Sequence, residues 1–73
     1  MKAYFEYKGI RYKAEIIKTN SPSNYNHFAA FYKTGERTAL LGYAVKATTT
    51  MKEVINHFKL SYERYMNQQL LIN

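Results

Sequence analysis

Over residues 1 to 17 apolar and polar side chains alternate with a period of two, and the phase of the alternation switches once. Ala3, Phe5 and Tyr7 alternate with Lys2, Tyr4, Glu6 and Lys8; beyond Gly9, Ile10, Tyr12, Ala14 and Ile16 alternate with Arg11, Lys13, Glu15 and Ile17. Period two puts successive side chains on opposite faces of a strand, so the pattern predicts two strands, each with one buried face. A two-residue turn at Lys8-Gly9 accounts for the switch. It sets Tyr7 opposite Ile10, Phe5 opposite Tyr12, Ala3 opposite Ala14 and Met1 opposite Ile16 on the inner face. The outer face then pairs Glu6 with Arg11, Tyr4 with Lys13 and Lys2 with Glu15. Each such pair is worth about 0.2–1 kcal/mol, and a one-residue slip would turn every side chain to the wrong face. Gly9 supplies the positive φ that the turn requires.

The stretch TNSPSNYN, residues 19–26, holds the only proline and reads as a surface loop. HFAAFYK, TGE and RTALLGYAVKA then predict a second hairpin with its tightest turn at Thr34-Gly35. That register pairs Lys33 with Glu36, Phe31 with Thr38, Ala29 with Leu40 and Phe28 with Leu41. Both faces of this hairpin are apolar. The bulkier set, Phe28, Ala30, Tyr32, Leu41, Tyr43 and Val45, is expected in the core; His27, Ala29, Phe31, Leu40 and Ala44 would then face outward.

From Thr50 the period changes to that of a helix. Thr50 with Glu53 fits a capping box, and Met51, Val54, Ile55, Phe58, Tyr62 and Tyr65 form one apolar stripe. A helix from 51 to about 68 is on the order of 27 Å long, slightly longer than the strands beneath it. The expected fold is α+β: a four-stranded antiparallel sheet from two hairpins, with one C-terminal helix packed on one face (ββββα). Residues 1–73 form a single small domain, with strands at about 2–7, 10–18, 26–33 and 37–46 and the helix at about 50–69.

Composition narrows what such a domain does. There is no Cys, which removes disulfides and thiolate zinc sites and fits a reducing compartment. No segment has signal-peptide or membrane-spanning length, so the expectation is a cytoplasmic protein with no membrane partner. Eleven Lys and Arg against five Glu give a net charge of +6. That favours nucleic acid or another acidic partner, with solubility as the competing explanation.

Catalytic chemistry finds little footing. His27 and His57 are the only histidines, and Glu53 stands one helical turn before His57. That spacing is more typical of a surface helix pair than of an acid–base couple. There is no glycine-rich phosphate loop, HExxH or nucleophile elbow, and no metal-ligand spacing. The chain reads as non-enzymatic, without cofactor, metal or small-molecule substrate.

The outer face of the first hairpin is the leading contact surface. Lys2, Lys8, Arg11 and Lys13 would meet phosphates, Tyr4 a base or sugar, with Lys33 and Arg37 extending the patch at the second turn. Glu6 and Glu15 on the same face would repel a phosphate track. His27, Phe31 and Leu40 on the outer face of the second hairpin, with Leu60 and Leu71 on the helix side opposite the stripe, form a candidate dimer or partner surface. Basic strands followed by the TTTMKEV helix start resemble, at the level of layout, the arm-type DNA-binding domains of tyrosine recombinases. Those set a three-stranded sheet in a major groove and back it with a helix, whereas four strands are expected here. The resulting expectation is a basic nucleic-acid-binding module, DNA or RNA, acting as a homodimer. The alternative is a stand-alone protein-interaction or inhibitor module, of mobile-element or phage type, that binds an acidic host protein surface.

Overall fold

Four strands, β1 (Lys2–Tyr7), β2 (Ile10–Lys18), β3 (His27–Lys33) and β4 (Leu41–Val45), precede one helix, α1 (Met51–Ile72). In the computed structural model the backbone is described for residues 1–72 and side chains for residues 1–64. Tyr65 of the apolar stripe, and Leu71, lie outside the described side chains. The strands form one antiparallel sheet in the order β1-β2-β3-β4, with α1 on one face, as the alternation implied.

The first hairpin has the expected register throughout, from Tyr7 opposite Ile10 to Lys2 opposite Glu15. The Ile16 N–H donates to the Met1 carbonyl at 2.9 Å and extends it by one pair. Lys8 and Gly9 both take positive φ, 51° and 78°. That combination gives the turn a twist matching its strands. Ile10, placed inside by the alternation, is 37% exposed because it lies at the end of the hairpin.

The second hairpin departs from expectation. The Glu36 N–H does donate to the Lys33 carbonyl, at 3.0 Å, so the turn falls at Thr34-Gly35. Only Gly35 has positive φ, 91°. A β-branched Thr34 disfavours the positive φ that a strand-matched turn demands at its first central position. A turn without it splays the strands, and the chain runs four further residues before pairing resumes at Phe31 opposite Leu41. Ala29 then meets Tyr43 and His27 meets Val45, a register three residues from the expected one. β4 accordingly begins at Leu41 and not near residue 37.

An odd shift exchanges faces. Leu41, Tyr43 and Val45 face the helix as expected, but from β3 it is Ala29 and Phe31 that join them, both fully buried. Phe28, assigned to the core by its bulk, is on the opposite face, 37% exposed. Tyr32 points the same way. Pairing with β2 sets this phase, since Phe31 lies opposite Ala14 and Ala29 opposite Ile16. Two fully buried alanines, Ala14 and Ala29, let the helix sit close. Phe58 stacks on Phe31 with ring centroids 4.6 Å apart and meets Tyr12 at 5.0 Å.

The helix begins as its capping residues dictate. The Glu53 N–H donates to Thr50 Oγ1 at 3.2 Å, and the Thr50 hydroxyl donates to the Glu53 carboxylate at 3.1 Å. Val54 and Phe58 are buried, and Met51, Ile55 and Tyr62 pack against them. Tyr43 donates to the Val54 carbonyl at 3.3 Å, and burial pushes its phenol up to about 12. Among the described residues no helix is long and apolar enough to cross a membrane.

Candidate nucleic-acid interface

With α1 on one face of the sheet, the other face is open. Strand registers set its side chains in cross-strand rows. Tyr4, Lys13 and Tyr32 form one row, Glu6 and Arg11 the next toward the turn. On the other side follow Lys2, Glu15, Ala30 and Gly42, then Ile17, Phe28 and Ala44. The row centred on Lys13 carries two half-exposed phenol rings around one ammonium. Lys13 Nζ lies 4.7 Å from the Tyr32 ring centroid, and the Arg11 guanidinium 5.6 Å from that of Tyr4. Such cation–π contacts are worth about 0.5–1 kcal/mol at exposed sites. Tyr4, Lys13 and Lys33 also line a shallow depression with Thr34, Gly35 and Glu36. Thr34 is pinned beside β2, its N–H and hydroxyl both donating to the Arg11 carbonyl, at 3.0 and 3.1 Å.

Three of the expected contact residues therefore come together: Tyr4, Arg11 and Lys13; Lys33, opposite Tyr12, has the phase of the helix-side face, which removes it from this row. Arg11 does so because its guanidinium lies over Tyr4; among the described residues the expected ion pair with Glu6 is not formed. Lys2 is held by Glu15 at 3.7 Å, a pairing the register anticipated. Arg37 is exposed in the β3–β4 loop, outside the row.

Lys8, expected as an open cation at the hairpin tip, has a different place. Its ammonium pairs with Glu63 of α1, whose carboxylate also accepts the Tyr7 hydroxyl. Glu63 thus ties the hairpin turn to the helix. Hydrogen bonds from Lys8 and then Tyr7 hold its carboxyl below the usual range, and the same contacts raise Lys8 and Tyr7. A carboxyl lowered in the folded state adds stability above its unfolded pKa and loses it as pH falls through the folded value. Glu63→Gln is expected to lower the neutral-pH melting temperature and to flatten the acid limb of a pH–stability curve. Identical acid limbs in the two proteins would show that the bridge adds nothing.

The expected apolar partner surface is divided. Phe31 is fully buried against Phe58, which removes it from any surface; the pairing of β3 with β2 is the cause. His27 is half-buried, with Nδ1 2.8 Å from Asn26 Oδ1. Leu40 and Leu60 are 46% and 63% exposed. Leu40 lines an apolar recess of about 180 Å³ with Leu41, Phe58, Ser61 and Tyr62. His57 packs on Tyr43 with centroids 4.6 Å apart. Among the described residues no three His, Cys, Asp or Glu side chains come together as a metal cluster would require.

Sequence reasoning missed Tyr32, hidden by the face assignment of β3. It also missed Tyr25, 51% exposed with Lys46 Nζ 5.4 Å from its ring centroid. No sequence period links a loop tyrosine to a lysine beyond the next hairpin. Comparisons with protein-family models, curated proteins and solved structures gave no match to this chain.

Proposed function

We propose that this chain is a non-enzymatic nucleic-acid-binding module whose contact surface is the open face of the sheet. The observation that carries the reading is the Tyr4–Lys13–Tyr32 row, with Arg11 over Tyr4. Phenol rings interleaved with cations suit a polyanion that also offers flat bases. Net charge of +6 adds long-range attraction. A cytoplasmic setting accords with this partner.

The expected result is binding that weakens linearly on a log–log salt plot. Two phosphate contacts, from Arg11 and Lys13, give a slope of about −1.4 to −1.8. Replacing Lys13 with Ala should flatten it by about 0.7 to 0.9. A flat salt dependence of the parent protein, or no binding at low salt, overturns the reading.

The same reading has the module act as a homodimer. Its support is the β4 edge, where no charged residue falls between Arg37 and Lys46, while the β1 edge carries Lys2, Glu6 and, at the turn, Lys8. Charges discourage edge-to-edge pairing, so β4 is the edge suited to a second copy. A sedimenting mass of one 8.6 kDa chain removes the dimer and leaves the sheet face in place. One observation favours a second reading, a protein-interaction or inhibitor module: the recess beside Leu40 suits an apolar side chain of an acidic protein.

A further inference from the structure

Two features of the open face bear on which form of nucleic acid it accepts. The first is breadth. Four strands spaced about 4.8 Å apart span roughly 14 Å between the outermost axes, more than the roughly 12 Å width of a major groove. A two-stranded ribbon would fit such a groove, but the first hairpin does not project as one. β2 is paired with β3 from Tyr12 to Lys18, and Lys8 at the tip is engaged by Glu63 of the helix.

The second feature is the spacing of the rings. Tyr4 and Tyr32 stand on either side of Lys13 in one row, two strand separations or about 10 Å apart at the backbone. In a duplex each base has its faces covered by its stacked neighbours and cannot meet a phenol ring. In an unpaired strand bases can turn out and stack singly on aromatic side chains.

We infer that the ligand is an unpaired nucleic-acid strand, two of whose bases stack on Tyr4 and Tyr32. Lys13 lies between the two bases, and Arg11 meets a flanking phosphate. This deepens the nucleic-acid reading above and rests on it. In the free protein the rings are held by Arg11 and Lys13. A base that takes over a ring face releases the cation toward a phosphate a few ångströms away, so the resting contacts keep the cations where the backbone of the strand needs them. Glu15 on the next row is neutralised by Lys2 and does not repel that backbone alone.

The test is fluorescence anisotropy at one fixed salt concentration with three probes: a short mixed-sequence DNA strand, the same strand annealed to its complement, and its RNA counterpart. The expected result is binding of DNA or RNA single strands at least about tenfold tighter than of the duplex. Tyr4→Ala and Tyr32→Ala should each weaken single-strand binding by about 5- to 140-fold, the range for loss of one stacked base. Duplex binding should change less than about twofold. Tyr4→Phe and Tyr32→Phe keep the ring and should bind as the parent does, which separates loss of stacking from loss of folding. Duplex bound as tightly as single strands, or Ala variants that weaken both alike, overturns the inference and leaves nucleic-acid binding standing. Failure of all three probes to bind overturns both.

Discussion

Phe58→Ala is expected to destabilise the fold by about 3–5 kcal/mol, the usual loss for a large aromatic removed from a core. Phe58 is 1% exposed and is the ring at which the helix meets the sheet. It meets Phe5 and Tyr7 of β1, Tyr12 of β2, Phe31 of β3 and Tyr62 of its own helix. Ala14 and Ala29 of the same core cluster are small and fully buried, and have no side chain long enough to fill the gap. Domains of this length have stabilities of only about 4–11 kcal/mol, so the loss is a large part of the whole. A melting temperature lower by on the order of 10–40 °C follows. Leu60→Ala is the control. Leu60 is 63% exposed on the same helix, and its removal should stay within about 0.5 kcal/mol. Thermal melts followed by circular dichroism separate the two; equal shifts would mean that the helix does not pack through Phe58.

The helix face and the first hairpin were legible for the same reason: local rules agreed with each other. In the hairpin, the alternation, the phase switch and Gly9 all pointed to one register. In the helix, the Thr50–Glu53 cap and the spacing of Val54, Phe58 and Tyr62 pointed to one face. The second hairpin offered no such agreement. Apolar residues on both faces left the register to the turn, and the turn's type depends on Thr34 avoiding positive φ. The phase of β3 is set instead by pairing with β2 across the 19–26 loop, and nothing local to β3 reports that pairing. The candidate site divides along the same line. Tyr4 beside Lys13 follows from the hairpin register alone. Tyr32 joins them only when the face of β3 is known, and Glu63 reaches Lys8 only when the helix has docked over the turn.

Phe31 and Phe28 decide that face by experiment. Phe31→Ala is expected to cost about 3–5 kcal/mol, since the ring is fully buried and packs on Phe58 at 4.6 Å, Tyr43 at 6.1 Å and Phe5 at 6.3 Å. Phe28→Ala is expected to cost about 1 kcal/mol or less. The Phe28 ring lies across Gly42 on the open face, where an added Cβ would approach its Cε2 and Cζ to 2.7 Å. Gly42→Ala therefore has to displace that ring in the parent protein but is left with only the Ala29 carbonyl oxygen, at 3.4 Å, once Phe28 is Ala. The two substitutions should couple: Gly42→Ala in the Phe28→Ala background recovers the roughly 0.5–1 kcal/mol by which alanine improves on glycine in a strand. Urea titrations of the single and double variants measure all three quantities. If Phe28→Ala proves the costlier single change, β3 is turned over. Tyr32 then points at the helix, the row with Tyr4 and Lys13 is broken, and the open face loses the platform on which base stacking depends.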